Sequence, residues 1–464
     1  MGAVTLVAVV LRVLLMVAYV PAILSYPDES SYVEAAAGSL FGNPFRPAGY
    51  SLFLRIVHVV SANLQFTIAV QHVIGLLTAV GVYALARRIG AGRWTALLPA
   101  ALVAVSGDQL YLEHVLLSDG LYLTIIVLAT YCALRVLDAS PERPGRMLAG
   151  LGWALAAGVA IAALTSVRTL GVALAPVLVL WLLVVGGPKW RRRVLLAGLA
   201  AAACGLLLLG YAFAQKQATG VFGLSRFSGW PLYARVATFA DCRKFTPPPG
   251  TRVLCQPTPS SLRPGPAFYI WNSRSPAERA FGFPPAHGAL LARFADAAIL
   301  GQPLDYLYTA SRDLLRYVYP HLVHGPDWGT EPQLLTLNTR SRSIEALNRP
   351  SVQAYWHPPP VKLRHGILDA LERWRSVFVI HGWMLAVSTV LALSGLALSP
   401  DRRTRQALAL LTVGALVLLV VSVAVTNYDY RNGIPSSVLL LVAAARSVEI
   451  LWPRARQLFG RAAG

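Results

Sequence analysis

The sequence predicts an all-α polytopic membrane protein of about ten transmembrane helices, with one extracytoplasmic segment between spans 7 and 8. Three observations lead there. Hydrophobic residues make up 56% of the 464 positions and charged residues only 13%, against about 25% charged in soluble domains. Apolar runs long enough to cross about 30 Å of hydrocarbon recur along the chain. Arginine gathers in alternate connecting loops, as positive-inside topology requires. The net charge of +20 is then a topology signal, and basic residues dispersed among apolar runs argue against nucleic acid as a partner.

The spans fall at 3–24, 64–89, 94–110, 121–137, 147–164, 170–185, 194–213, 377–398, 407–425 and 434–451. Ser106, Gly107 and Asp108 interrupt the third. The first is too long, and lacks the basic start, for a signal peptide. One set of loops holds Arg87, Arg88 and Arg93; Arg135, Arg143 and Arg146; Lys189 with Arg191, Arg192 and Arg193; and Arg402, Arg403 and Arg405. The tail adds Arg454, Arg456 and Arg461. The alternate short loops hold only Arg46, Arg55, Arg168 and Arg431. Both termini are therefore expected in the cytoplasm. Three regions follow: a transmembrane module over 1–213 with its first external loop at 25–63, an extracytoplasmic loop domain over 214–376, and C-terminal helices with a cytoplasmic tail over 377–464. The excess of Arg over Lys, with abundant Ala, Val, Gly and Pro, suggests a GC-rich bacterial genome of actinobacterial type and a plasma-membrane location.

The 214–376 segment is rich in Pro, Gly, Trp and Tyr. Cys242 and Cys255 lie thirteen positions apart around PPPG, and a disulfide is favoured if the loop is outside the cytoplasm; two free thiols are the alternative. Cys132 and Cys204 lie in apolar runs and read as inert. The stretch PLDYLYTASRDLLRYVYP places Leu304, Leu307, Leu314, Leu315 and Val318 toward one side, with tyrosines at the margins. Such a helix either lies flat in the headgroup layer or packs within a soluble cap.

Chemistry is expected in the external loops. Asp28 and Glu29, in SYPDESSYVEAAAGSLFGNPFRPAGY, follow directly on the first span. An ionisable residue beside hydrocarbon is a functional candidate, and partial burial is expected to raise a carboxylate's pKa and strengthen it as a base. The alternative is a helix cap. In the second external loop, SGDQLYLEHVLLSDG, Asp108, Glu113, His114 and Asp119 come together in sequence. Glu113 and His114 point about 100° apart on a helix, and Asp119 also suits a cap. Arg46, Arg168 and Arg431 offer guanidinium forks for a phosphate; snorkelling to lipid headgroups is the alternative, above all for Arg168. Arg12, inside the first span, is expected to be paired within the bundle. Tyr32, Tyr50 and Tyr428 stand beside these charges as candidate substrate contacts. The sequence has no zinc-ligand spacing; a divalent cation (Mg or Mn) held by carboxylates of the first two external loops stays open. It carries no Walker loop, G-x-G-x-x-G or G-x-S-x-G, so nucleotide-driven and serine-hydrolase chemistry have no support.

The motifs PDESSY, RPAGYSLFL, HVLLSDGLYLTIIVLATY, SVRTLGVALAP and YDYRNGIPSSVLLLVAA together resemble the GT-C superfamily of integral-membrane glycosyltransferases. The branch they are most similar to includes protein O-mannosyltransferases and aminoarabinose transferases. The resemblance implies a GT-C-like fold and transfer, with inversion, of a sugar from a polyprenyl-phosphate donor to a glycan, lipid or protein acceptor outside the cytoplasm. It implies Asp28 as catalytic base with Glu29 in support, and Arg168 or Arg431 at the donor phosphate. The sequence departs from the family pattern at Ala48, at Asn432 where a tyrosine follows the arginine, and in the placing of its large external segment. The rival readings are a lipid or sugar transporter or flippase, disfavoured by the lack of an inverted repeat, and a non-catalytic cell-envelope assembly factor. Tryptophans 230, 271, 328 and 356 could stack on sugar faces, though core packing is expected for at least half.

Overall fold

A computed structural model describes residues 2–24, 27–138, 144–187, 189–227, 229–319 and 340–462. Its N-terminal half runs through α1 (Gly2–Ala18), β1 (Tyr19–Val20), α2 (Pro27–Ala37), α3 (Gly49–Val60), α4 (Leu64–Arg88), α5 (Arg93–Val105), α6 (Gly107–His114), α7 (Asp119–Arg135), α8 (Pro144–Val167), α9 (Leu174–Val185) and α10 (Trp190–Thr219). Shorter helices follow: α11 (Gly229–Ala237), α12 (Pro266–Trp271), α13 (Pro276–Phe281), α14 (Gly288–Gly301), α15 (Pro303–Arg316), α16 (Arg340–Leu347) and α17 (Pro350–Trp356). The chain closes with β2 (Lys362–Leu363), α18 (His365–Val377), α19 (Gly382–Leu398), α20 (Arg402–Val425) and α21 (Tyr430–Ala462). The two-residue strands β1 and β2 pair antiparallel, and no other sheet is formed among the described residues.

Among the described residues, seven helices are long and apolar enough to cross a membrane: Leu64–Arg88, Asp119–Asp138, Met147–Val167, Trp190–Thr219, His365–Leu398, Arg402–Val425 and Tyr430–Pro453. Helices α5 and α6 together make a further pair, bent by 46°. Gly2–Ala18 and Thr169–Val185 are shorter apolar helices at the positions of the first and sixth expected spans. The chain is a multi-pass, all-α membrane protein. Its helix ends follow local chemistry. Asn63 caps α4 through the Gln65 amide, and Asp401 caps α20 through the amides of Arg403 and Thr404. Pro27 opens α2 and puts Asp28 and Glu29 in its first turn, where the helix dipole favours acid.

The bend between α5 and α6 explains why the third apolar run is interrupted. Ser106 takes ψ 126° and breaks the ladder. The Gly107 amide then donates to the Phe378 carbonyl at 2.7 Å, and Trp374 Nε1 donates to the Val105 carbonyl at 2.9 Å. Helix α6 is thus tied to α18 and carries its polar side chains into the protein. Glu113 is buried there between Arg12, His72 and Gln109. Arg12 Nε and a terminal nitrogen donate to its two oxygens at 2.8 Å each. His72 Nδ1 lies 2.9 Å from Oε2, and Gln109 donates to Oε1 at 3.1 Å. The room for this carboxylate comes from Gly75: a Cβ there would lie 1.7 Å from Oε1.

A second hydrophobic cluster forms outside the main one, around Trp230, Tyr233, Tyr269, Leu291 and Phe294. Helices α11 and α14 carry most of it, and the bridged pair Cys242–Cys255, with Cα atoms 5.8 Å apart, sits beside it. This cap meets the stretch between α2 and α3 at Phe45, whose ring meets Phe227 at 5.5 Å and Trp271 at 5.6 Å.

Candidate active site

Asp28 sits one residue into α2 and faces Arg46, which comes from the irregular stretch between α2 and α3. Asn43 shapes that stretch: its side-chain oxygen accepts from the amides of Phe45 at 2.8 Å and Arg46 at 3.0 Å, an Asx turn that fixes the arginine's backbone. Arg46 then donates to Asp28 Oδ1 at 2.5 Å. Both side chains keep partial access to solvent, 20% for Asp28 and 30% for Arg46. The Arg46 Nε is buried and finds no hydrogen-bond acceptor among the described residues. One turn along α2, Tyr32 donates to Ser118 Oγ at 3.1 Å and stands edge-on to Tyr50 at 4.7 Å. Tyr50 is itself buried, donating to Gln71 Oε1 at 2.5 Å. Glu29 points into the protein and is 1% exposed.

Three further parts of the chain bring the remaining charges. Asp119, at the start of α7, pairs with Arg168 and lies 3.9 Å from Arg431. Arg168 also donates to Asn432 Oδ1 at 2.8 Å and stands over the Tyr122 ring at 5.7 Å. Arg431 is held by Asp429, whose carboxylate accepts from the Arg431 amide and from its guanidinium, each at 3.0 Å. Arginines 46, 168 and 431 and aspartates 28, 119 and 429 therefore form one cluster drawn from four parts of the chain.

This balance sets the protonation of the site. Burial pushes the Asp28 carboxyl up, but the charges of Arg46, Arg431 and Arg168 and the Arg46 hydrogen bond outweigh it, and the net shift is downward. Asp429 behaves alike: burial raises it, and Arg431 with Arg168 brings it below the usual carboxylate range. On Arg46 and Arg168 burial works against the charge, and Asp28 and Asp119 respectively more than compensate. The expectation that burial would raise Asp28 is thus reversed, because three guanidinium groups face it. In this state Asp28 is a firmly ionised carboxylate.

The structure does not bring every candidate to this rim. Of the four polar residues of the second external loop only Asp119 arrives. Asp108 pairs with Arg375 at 3.0 Å, and Glu113 and His114 turn into the interior. His114 lies 3.1 Å from His72 and 2.9 Å from the Tyr19 carbonyl. Short helix α6 spreads these neighbours over different faces. Tyr428 is buried against Tyr317 at 4.8 Å. It lines a separate cleft with Gln109, Arg316, His381 and Tyr430. The carboxylates at the rim are each matched by a guanidinium, and among the described residues no group of three or more His, Cys, Asp or Glu is placed for a metal ion. Trp230 and Trp356 are core residues, Trp271 is 48% exposed, and Trp328 lies outside the described residues. Asp429 and Asn432 were not expected in the site. Only the closeness of Asp429 to Arg431 in YDYR could have signalled the former.

Residues 23–222 match the family model described as dolichyl-phosphate-mannose-protein mannosyltransferase. That stretch contains Asp28, Arg46, Asp119 and Arg168. Over this module the chain is similar to that family. No curated protein matches it. Among solved structures, the chain is similar to the Archaeoglobus fulgidus oligosaccharyltransferase tethered to an acceptor peptide, at 12% identity and a TM-score of 0.49 over 96% of this chain and 49% of that one. It is similar to the S. cerevisiae protein O-mannosyltransferase complex bound to the sugar donor, at 17% identity and a TM-score of 0.36, covering 56% and 37%. It is also similar to ArnT from Cupriavidus metallidurans bound to undecaprenyl phosphate, at 16% identity and a TM-score of 0.35, covering 97% and 78%. The chain spans about half the length of the oligosaccharyltransferase.

Proposed function

We propose that this protein is a membrane glycosyltransferase that moves a sugar from a polyprenyl-phosphate donor to a glycan, lipid or protein acceptor outside the cytoplasm of a bacterial cell, with inversion at the anomeric carbon. The observation that carries the reading is the convergence of Asp28 with Arg46, Arg168 and Arg431, the first three of which lie in the region that matches the mannosyltransferase family model. Both termini would lie in the cytoplasm. The 1–213 module would hold the site, 214–376 would shape the acceptor side, and 377–464 would supply Asp429 and Arg431.

The chemistry uses the charge balance. The donor phosphate competes with Asp28 for Arg46, whose Nε still lacks an acceptor, and takes up Arg168 or Arg431 with it. The acceptor oxygen attacks the anomeric carbon from the face opposite the phosphate. The bond from that carbon to the bridging oxygen breaks, its electron pair stays on the phosphate, and the arginines stabilise the charge that develops there. The acceptor proton passes to Asp28. An Asp28 held low by Arg46 is a weak base, and it becomes a stronger one once Arg46 turns to the phosphate. Base strength is thus coupled to donor binding.

The test is transfer from a panel of synthetic polyprenyl-phosphate sugars by the reconstituted full chain, with Asp28→Asn as control. Product from at least one donor, lost in the variant, supports the reading. Absence of product with every donor, or a variant as active as the parent, overturns it.

A further inference from the structure

Helix α15 is built inside out. Three of its four leucines point away from the protein, Leu304 79% exposed, Leu307 56% and Leu315 57%, with Tyr308 at 69% beside them, while Leu314 packs on the main core. The spacing puts the four exposed side chains on one stripe. The opposite face is polar and buried. Thr309, Asp313 and Arg316 lie inside, and Asp313 is gripped between Arg316 and Arg235 of α11, whose side chain is 1% exposed. A water-facing helix has the reverse pattern, because water solvates ions and rejects leucine.

Two contacts fix where this helix lies. Tyr306 donates to the Ala424 carbonyl at 2.9 Å, in the last turn of α20, a membrane-length span whose Val420 and Val425 are themselves exposed. At the other end, the Tyr317 hydroxyl donates to the Asp429 carbonyl at 2.9 Å, and its ring lies against Gly433, where a Cβ would come within 2.8 Å of it. Helix α15 therefore crosses the end of a lipid-facing span, beside the loop that carries Asp429 and Arg431.

We propose that α15 lies in the membrane interface, with Leu304, Leu307, Tyr308 and Leu315 seated at the boundary of headgroups and acyl chains, so that the bilayer itself covers this face. The continuity with the lipid-exposed side of α20 argues for lipid, as does the tyrosine among the leucines, a side chain suited to the headgroup level. The Arg235–Asp313 ion pair points inward, and Arg312, exposed at the margin of the stripe, suits the headgroup level. The surface stands independently of the transferase reading, and its test reads no activity.

The full chain is prepared with Cys132→Ala and Cys204→Ala, and an environment-sensitive fluorophore is attached in turn at Leu304→Cys, Leu307→Cys and Leu315→Cys. Each labelled protein is reconstituted into vesicles of phosphatidylethanolamine and phosphatidylglycerol. The expected result is a blue-shifted emission, protected from aqueous iodide. It is lost to lipids carrying a nitroxide near the headgroup, and less so to lipids carrying one deep in the chain. Quenching by iodide without quenching by lipid overturns the proposal. So does a probe that neither quencher reaches, which would mean that protein, from this chain or a second copy, covers the face.

Discussion

In the interior, Arg12 places every guanidinium nitrogen on a fixed acceptor: both oxygens of Glu113, and the carbonyls of Ala8 and Ala104. At the rim, Arg46 has one bond to Asp28 and a buried Nε without an acceptor. The residue types are the same and the outcomes differ. The inner cluster is closed, and its carboxylate has no coordination left to offer. The outer cluster is neutral in sum but unsaturated, and its carboxylates and guanidiniums can be re-paired by an incoming phosphate. Satisfied buried polar networks fix structure, whereas partly satisfied ones leave capacity for a ligand.

The contrast can be broken most forcefully at Asp28. Asp28→Asn is expected to lower turnover by about 10²–10⁴-fold, the range for loss of a general base, with unchanged thermal stability of the solubilised protein. A parallel loss of stability would place Asp28 in the structural class with Glu113. In the interior, Glu113→Ala strands Arg12 in an apolar bundle and is expected to cost about 3–5 kcal/mol, read as a fall in unfolding temperature. The double replacement Arg12→Met with Glu113→Leu should recover most of that. Failure to recover would mean the network does more than hold α6.

Arg46→Gln sharpens the electrostatic half of the comparison. Removing the cation nearest Asp28 leaves burial less opposed, so the acid limb of kcat/KM should move to higher pH while donor KM rises; a limb that stays in place would remove Asp28 from the titrating group. The smallest effect is expected from Asn432→Ala, which deletes the acceptor of the Arg168 bond. A loss of about 1 kcal/mol corresponds to a several-fold rise in donor KM, with turnover little changed.

The helices were legible because hydrophobic length is a local property. The described membrane-length helices, the bent pair and the two shorter apolar helices stand at the positions of the apolar runs, down to the break at Ser106 and Gly107. Arg46, Arg168 and Arg431 stand out in the sequence against arginine-poor loops, and the structure brings them to one cluster. Which acids would meet them was not. Asp108, Glu113 and Asp119 lie within twelve residues and end at three different places, because the bend before α6 and the turn after it send them apart. The pKa of Asp28 failed for a related reason. Its burial can be read from its position beside a span, but the number of guanidinium groups around it depends on loops over a hundred residues apart. Asn432, a departure from the family pattern, gained a meaning only when its side chain was found on Arg168.

Phe45 and Arg46 are consecutive residues with separate allegiances. The phenylalanine is nested among Phe227, Trp271 and Phe283 of the cap, and the arginine is on the α2 carboxylate. A single peptide unit joins the two attachments, so a tilt of the cap is delivered to the charge pair with almost no slack.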